Sequence, residues 1–219
     1  MTILTWIRHA GFLAILMTPL SLASQGNGDT SFARYAVGPL PPEFNTTWRT
    51  GKGAPGTWMV VEDPTASGGK AVAQTSSDKT DYRFPLAVFE GLAAEDLEVT
   101  VRFKAVAGTI DQAAGLAIRL TSPDDYYVVR ANALENNVRF YRVVKGKREQ
   151  LDSKEVKVTP GEWHMLGLKA EGDRFTISYD GTTLFTVTDR TFSGVGKVAL
   201  WTKADSITYF DQLRINRIR

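Results

Sequence analysis

Residues 114–144 constrain this chain more than any other stretch, because three short runs in it alternate between apolar and other side chains. The segment reads AGLAIRLTSPDDYYVVRANALENNVRFYRVV, with turn-forming residues at 122–125 and at 135–136. Alternation with a period of two is typical of strands that bury one face, and Ser, Pro, Asp and Asn are typical of turns. We therefore predict three consecutive antiparallel strands. Their core-facing residues would be Leu116, Ile118, Leu120, Tyr127, Val129, Ala131, Ala133, Val138 and Phe140.

The opposite face of these strands has an unusual composition. Pairing across the first turn predicts that Ile118 lies opposite Val129, and pairing across the second turn places Arg130 beside Tyr141. Antiparallel sheets commonly expose one face to water, so a solvated surface is one interpretation. Arginine and tyrosine also supply planar donors and stacking surface, so a ligand-binding face is the other. The residues on this face are Arg119, Tyr126, Arg130, Asn132, Arg139 and Tyr141.

Composition and charge exclude several classes of protein. Of the 219 residues, 43% are hydrophobic, and the formal net charge is +2. A nucleic-acid-binding domain normally carries a basic excess, so this near balance argues against a nucleic-acid partner. The chain contains no cysteine, which excludes disulfides and a lipid anchor on cysteine.

Residues 1–24 have the three parts of a secretory signal peptide. Arg8 precedes an apolar run at 11–20, and small residues follow at a cleavage point. We expect a secreted or periplasmic protein, with retention of the apolar run as an anchor as the alternative. No later stretch is apolar and long enough to span a bilayer. Residues 25–42 predict an extended lead-in, and residues 43–219 a single domain.

The rest of the chain repeats the pattern of short strands and tight turns. Alternation recurs at 97–104 and 174–179, and Gly-containing dipeptides at 145–146, 172–173 and 180–181 mark turns. Many strands without helical connections predict an all-β fold, a two-sheet antiparallel jelly-roll β-sandwich. The predicted core comprises Leu116, Ile118, Val129, Ala131, Phe140, Val99, Val101 and Phe103.

Two runs near the carboxyl terminus carry a family resemblance. They are EWHMLGLKAEGDRFTISYDGTTLFTVTD at 162–189 and GKVALWTKADSITYFDQLRI at 196–215. They resemble the concanavalin A-like lectin/glucanase superfamily, and within it the secreted bacterial 3-keto-disaccharide hydrolase-like, or laminin-G-like, domains. The resemblance implies a jelly roll whose concave sheet often holds carbohydrate. It also implies that Arg119, Arg130 and their neighbours line that concavity.

The sequence assigns no catalytic residue. The Glu-x-Asp-x-x-Glu motif of the classical glucanases in this superfamily is absent. The nearest approach is Glu95, Asp96 and Glu98, of which only the last two share a strand face. Enzymatic activity therefore rests on the resemblance alone.

A metal site finds little support in the residue pattern. His164 is the only histidine after the predicted signal peptide, so a multi-histidine metal site is excluded. His164 lies two residues before Leu166 and therefore on the same face of the predicted strand. We predict a partly buried, hydrogen-bonded structural histidine. Asp124 and Asp125 are able to bind calcium through oxygen, although aspartate is also common in turns. No other cofactor is expected.

These observations favour a secreted domain that binds a carbohydrate or another hydroxyl-rich or anionic ligand on its Arg/Tyr-rich face. A hydrolase or lyase acting on a modified, 3-keto glycoside is the first alternative, and a structural or partner-binding envelope domain is the second. The predicted ligand-binding residues are Arg119, Tyr126, Arg130, Asn132, Arg139, Tyr141, Trp201 and Lys203.

Overall fold

The computed structural model describes residues 31–218, which form strands and turns with one short 3-10 turn at Ser67–Gly69. The strands are β1 (Gly38–Pro39), β2 (Phe44–Asn45), β3 (Arg49–Gly51), β4 (Trp58–Glu62), β5 (Lys70–Gln74), β6 (Arg83–Ala94), β7 (Leu97–Ala107), β8 (Ala113–Ser122), β9 (Asp125–Asn132), β10 (Asn137–Val144), β11 (Lys147–Glu155), β12 (His164–Glu171), β13 (Arg174–Tyr179), β14 (Thr182–Thr188), β15 (Gly196–Trp201) and β16 (Ile207–Arg217).

These strands form two antiparallel sheets. Sheet A has the order β1-β4-β5-β16-β7-β12-β13-β14, and sheet B has the order β11-β10-β9-β8-β15-β6-β2, with β3 also paired to β6. The non-sequential neighbours β15 and β16 bring the carboxyl-terminal strands into the middle of the two sheets. The predicted all-β, two-sheet antiparallel fold is confirmed.

The main core lies between the sheets. Val99, Val101 and Phe103 of sheet A and Leu116 and Val129 of sheet B all belong to it. Each is fully buried, because alternation directs every second side chain inward. All eight predicted core residues are buried, the others being Ile118, Ala131 and Phe140.

The predicted strand register is wrong by two residues on both sides of β9. Leu116, not Ile118, pairs with Val129, and Arg139, not Tyr141, pairs with Arg130. A bulge in β8, where Arg119 has a φ of 49°, absorbs the difference on one side. On the other side, the connection between β9 and β10 takes four residues, not two. A shift of two residues preserves the face of each side chain, so the core prediction survives the error at the paired positions. Leu120 is the exception, because it follows the bulge in β8 and belongs to the apolar cluster on the outer face of sheet B.

Sheet B also buries its outer face, against the expectation of an open surface. The β3 segment and the start of β6 fold over it. The Thr50 Oγ1 lies 2.6 Å from the Tyr126 hydroxyl, and the Tyr82 hydroxyl donates to the Gly146 carbonyl at 2.9 Å. A second apolar cluster results, which comprises Phe84, Leu86, Val88, Ala113, Ala117, Leu120, Tyr126, Val128, Tyr141, Val143, Ala199 and Trp201.

The amino-terminal predictions are only partly accessible to the structure. The predicted signal peptide at 1–24 lies outside the described residues. Of the predicted lead-in, residues 31–42 are described, and here Phe32 is buried in the main core while β1 pairs with β4. Within residues 31–218, no helix is long and apolar enough to cross a membrane.

Candidate functional site

One row of residues crosses four strands on the outer face of sheet B. The register aligns Trp201 of β15, Gly115 of β8, Arg130 of β9 and Arg139 of β10. A Cβ on Gly115 would lie 2.9 Å from Trp201 Cε3 and 2.9 Å from the Val129 carbonyl oxygen. The missing side chain therefore admits the indole ring, and the two arginines occupy the other end of the row.

Around these arginines lies a polar group of residues that we call the arginine cluster. Its central residue is Arg130, whose side chain is only 2% exposed. Nη1 of Arg130 donates to Asn137 Oδ1 at 3.1 Å, and Nη2 donates to Glu135 Oε2 at 2.7 Å. Nη2 also donates to the Tyr141 hydroxyl at 3.4 Å. The arginine cluster comprises Arg130, Asn132, Glu135, Asn137, Arg139, Tyr141 and Arg148.

Glu135 is the carboxylate that holds the cluster together. Its Oε2 accepts hydrogen bonds from Arg130 and from Asn137 Nδ2 (3.3 Å) and lies 3.3 Å from Arg139 Nη1, and its Oε1 accepts from Asn132 Nδ2 at 3.2 Å. The turn places it there, because Asn132 Oδ1 accepts the backbone N–H groups of Leu134 and Glu135 at 2.8 and 3.1 Å. This side-chain turn also ends β9 two residues earlier than predicted.

Tyr141 joins a third arginine to the cluster. The Arg148 guanidinium lies 4.4 Å from the centroid of the Tyr141 ring and 4.9 Å from that of Phe84. Guanidinium groups stack favourably on aromatic faces. Strands β9, β10 and β11 thus each contribute one arginine to the same face of the sheet.

Three donors of the cluster have no hydrogen-bond acceptor within the described chain. They are Arg130 Nε, Arg139 Nε and Arg148 Nη1, all of them buried atoms. Buried polar groups are normally paired, and an unpaired one costs free energy. Three such groups on adjacent strands mark this end of sheet B as short of hydrogen-bond acceptors.

A second charged group adjoins the cluster through Asn132. Asn132 Nδ2 donates to Asp111 Oδ1 at 2.7 Å, and the other oxygen of Asp111 lies 2.8 Å from Lys203 Nζ. Lys203 also pairs with Asp81 at 3.1 Å. The predicted residue Lys203 is therefore joined to the cluster through Asp111 and Asn132.

The electrostatics of the cluster keep both members of its central ion pair charged. Burial disfavours charge on Arg130, but the Tyr141 hydroxyl and Glu135 raise its pKa above the ordinary value. Burial likewise opposes ionisation of Glu135, yet the bond from Arg130 and the bonds from its other neighbours lower its pKa. Burial raises the pKa of Asp111, and Lys203 works against this shift.

Two predicted ligand residues serve the second apolar cluster instead of an open surface. Trp201 Nε1 donates to the Tyr126 hydroxyl at 3.3 Å, and Thr50 Oγ1, which lies 2.6 Å from that hydroxyl, donates to the Pro123 carbonyl at 2.5 Å. Burial raises the pKa of Tyr126 to about 12. Both Tyr126 and Trp201 are fully buried, so neither offers a ring face to solvent.

Arg119 lies away from the cluster, although the sequence predicts it beside Arg130. The bulge in β8 turns its side chain toward the sandwich edge, where its guanidinium lies 5.1 Å from the Phe175 ring centroid. Nη1 donates to the Phe192 carbonyl at 2.7 Å, Nε donates to the Glu95 carbonyl at 3.2 Å, and Nη2 donates to the Gly172 carbonyl. Arg119 thus ties three loops together.

The remaining candidates have structural partners. His164 Nδ1 lies 2.9 Å from Asp180 Oδ2 and its ring stacks on Tyr179, which confirms a hydrogen-bonded structural histidine. Asp125 is engaged by the Lys145 backbone N–H and the Ser122 hydroxyl. Among residues 31–218 there is no group of three or more His, Cys, Asp or Glu suited to a metal ion. Calcium at the Asp124–Asp125 turn stays a prediction.

Sequence reasoning missed four participants, namely Asp111, Glu135, Asn137 and Arg148. The sequence pattern predicts a turn at Glu135 and Asn136, and it gives Asn137, Arg148 and Asp111 no role. A usable signal lay in the KG turn at 145–146, since a hairpin there implies a partner for β10. Asp111 contacts the cluster because its loop packs beside β9, and no local sequence pattern predicts that packing.

Comparisons with known proteins agree on the fold. No family model matches the chain, and no curated protein sequence matches it. Among solved structures, a carbohydrate-binding module from Bacillus subtilis has a TM-score of 0.59 at 21% identity, covering 74% of this chain and 91% of the module. A Parabacteroides distasonis protein provisionally described as a glycosyl hydrolase has a TM-score of 0.51 at 14% identity, covering 80% and 89% of the respective chains.

A functionally unknown protein from Saccharomyces cerevisiae is similar to the same degree, with a TM-score of 0.51 at 14% identity over 75% of this chain and 97% of the yeast chain. At such identities the likeness concerns architecture and not activity. These comparisons and the two-sheet topology show an antiparallel β-sandwich.

Proposed function

We propose that this protein binds carbohydrate and that the arginine cluster holds the ligand. The observation that carries the proposal is that partly exposed side chains adjoin buried guanidinium donors without acceptors. The side chains of Arg139 and Glu135 are 31% and 37% exposed, whereas the neighbouring Arg130 is buried and its Nε has no acceptor among residues 31–218. Rigid strands hold these donors in place, and guanidinium groups are suited to oxygen-rich ligands. The shared architecture with a carbohydrate-binding module supports the same proposal.

We also propose that the protein acts outside the cytoplasm, which follows from the signal-like residues 1–24. Fractionation of cells expressing the full chain, with mass determination of the exported product, tests this point. Export with cleavage near residue 24 is expected. Recovery of the intact chain from the cytoplasm alone would contradict it.

The binding test uses residues 25–219, a panel of oligosaccharides and isothermal titration calorimetry. The variants are Arg139→Gln and Arg148→Gln, because both side chains are partly exposed, while Arg130→Ala would also remove bonds that hold the fold. Each variant should weaken binding by about 1.5–3 kcal/mol, the scale of a hydrogen bond to a charged group. Arg190→Gln is the matched control, since Arg190 is 84% exposed and forms a surface ion pair with Asp173.

Unchanged affinity in both cluster variants, for a glycan that the wild type binds, would remove the ligand from this face. If no glycan in a broad panel binds, the carbohydrate proposal fails and the structural or partner-binding alternative takes its place.

A second candidate function, cleavage of a 3-keto glycoside by a hydrolase or lyase, has one specific observation in its favour. Asp111 Oδ1 and Glu135 Oε1 both accept hydrogen bonds from Asn132 Nδ2, at 2.7 and 3.2 Å. The two oxygens are therefore at most about 5.9 Å apart, and retaining glycosidases use two carboxyl groups about 5–5.5 Å apart. Their pKa values shift in opposite directions, as acid and nucleophile require.

The hydrolase candidate is tested by product release from 3-keto glycosides and ordinary glycosides. Turnover that is lost in Glu135→Gln and in Asp111→Asn, with binding retained, would establish it. Binding without turnover of any member of the panel would leave the non-catalytic function.

A further inference from the structure

We infer that the ligand of the arginine cluster is an acidic carbohydrate, whose carboxylate or sulfate group takes the unpaired guanidinium donors. This inference rests on the proposed function and narrows its ligand class. It follows from three features of the cluster: its charge balance, its unpaired donors and the way it already holds one carboxylate.

The first feature is an excess of positive charge. The cluster contains three arginines, but among residues 31–218 only one carboxylate, Glu135, forms ion pairs with them. Arg148 forms no ion pair with any residue between 31 and 218, and its contacts are with the rings of Tyr141 and Phe84. The adjoining Lys203 is balanced by Asp81 and Asp111 and does not offset the excess.

The second feature is the kind of hydrogen bond that is missing. Arginine only donates, so the three unpaired groups on Arg130, Arg139 and Arg148 all require acceptors. An ionised carboxylate or a sulfate offers only acceptor oxygens, whereas a sugar hydroxyl brings a proton that must itself be placed. Charge-assisted bonds to guanidinium are also the stronger ones. An anionic group therefore matches the donors better than a neutral sugar does.

The third feature is Glu135, which shows how the cluster binds a carboxylate. It lies against Arg130, Arg139 and the Asn137 amide, yet its side chain is more than a third exposed. It projects from a turn, so it approaches the arginines from the solvent side. An acidic sugar entering from solvent would compete with Glu135 for these donors. Removal of its charge should therefore favour an acidic ligand.

The test compares ligands that differ only in charge. Oligouronates are titrated against their methyl esters, and sulfated galactans against the desulfated forms, by calorimetry at low and high salt. The acidic member of at least one pair should bind about tenfold or more tightly, a difference that salt reduces because exposed charges are screened. The two pairs distinguish a carboxylate from a sulfate ligand.

Substitutions in the cluster test whether it produces the preference for acidic ligands. Arg139→Gln and Arg148→Met should lower affinity for the acidic form by about tenfold more than they lower affinity for the neutral form. Glu135→Gln should raise affinity for the acidic form. Arg190→Gln is the control and should change neither. Thermal melting of each variant is recorded, and the wild-type acid-to-ester ratio and its salt dependence remain decisive if a variant does not fold.

The outcomes distinguish failure of the acidic ligand class from failure of carbohydrate binding. Equal affinity for acidic and neutral members of every pair would overturn the acidic ligand class and leave carbohydrate binding intact. An acid preference that survives both arginine substitutions would place the anion elsewhere and overturn the assignment to the cluster. If no glycan binds, acidic or neutral, the proposed function itself is overturned.

Discussion

Substitution of Arg119 by methionine is the sharpest test of the structural argument, because sequence and structure give this residue different roles. The sequence pattern places Arg119 on the ligand-binding face, whereas the structure uses it to tie loops at the sandwich edge. Methionine keeps most of the aliphatic stem that packs there and removes the guanidinium. It leaves the carbonyl groups of Glu95, Gly172 and Phe192 without this donor.

The expected cost is worked from these three bonds. A buried acceptor that loses its partner costs about 1–3 kcal/mol, and loop carbonyls at a sandwich edge regain part of this from water. We therefore expect the free energy of unfolding to fall by about 3 kcal/mol. In a domain of this size that lowers the melting temperature by about 6–12 °C. Urea denaturation followed by tryptophan fluorescence gives the free energy, and calorimetry gives the melting temperature.

Arg190→Met is the matched control, since it removes an exposed arginine with one surface ion pair to Asp173. Exposed pairs contribute about 0–1 kcal/mol, so its stability should stay close to that of the wild type. A loss below about 1 kcal/mol in Arg119→Met would refute the tying role. Normal stability combined with lost glycan binding would return Arg119 to the ligand site.

Three further predictions concern buried polar groups and close packing. Tyr126→Phe removes the shared hydroxyl that accepts from Trp201, and should lower the free energy of unfolding in urea by about 1–3 kcal/mol. Gly115→Ala forces a methyl group to within 2.9 Å of the Trp201 ring and of a backbone oxygen, and should cost about 1–3 kcal/mol in the same assay. Asp205 accepts the backbone N–H groups of residues 109–111, which lower its pKa from 3.8 although burial opposes the shift. Because the folded-state pKa is the lower one, this stabilisation is present above about pH 4 and is lost as the pH falls through the folded-state pKa. Asp205→Asn should therefore be less stable than the wild type at pH 7, and the gap should narrow in melts below pH 4; a gap independent of pH would contradict the assigned cause.

The sequence by itself determined which side chains face the main core, except beyond the bulge in β8, where Leu120 joins the outer apolar cluster. Leu116, Val129 and Phe140 are buried as predicted, although the predicted register was wrong by two residues. A shift of two residues leaves each side chain on the same face of the sheet, whichever residue it pairs with. The turns at 145–146, 172–173 and 180–181 connect successive strands as predicted, since each contains a glycine that adopts a positive φ.

Only the tertiary structure decided what the other face of sheet B does. Thr50 comes from a distant position to contact Tyr126, and Tyr82 likewise bonds Gly146 in the turn that follows β10. Alternation within a strand carries no information about such long-range contacts. A bulge at Arg119 turned one predicted ligand residue to another part of the molecule. The arginine cluster likewise depends on β11 and the loop at Asp111, whose positions follow from packing between segments and not from local sequence preference.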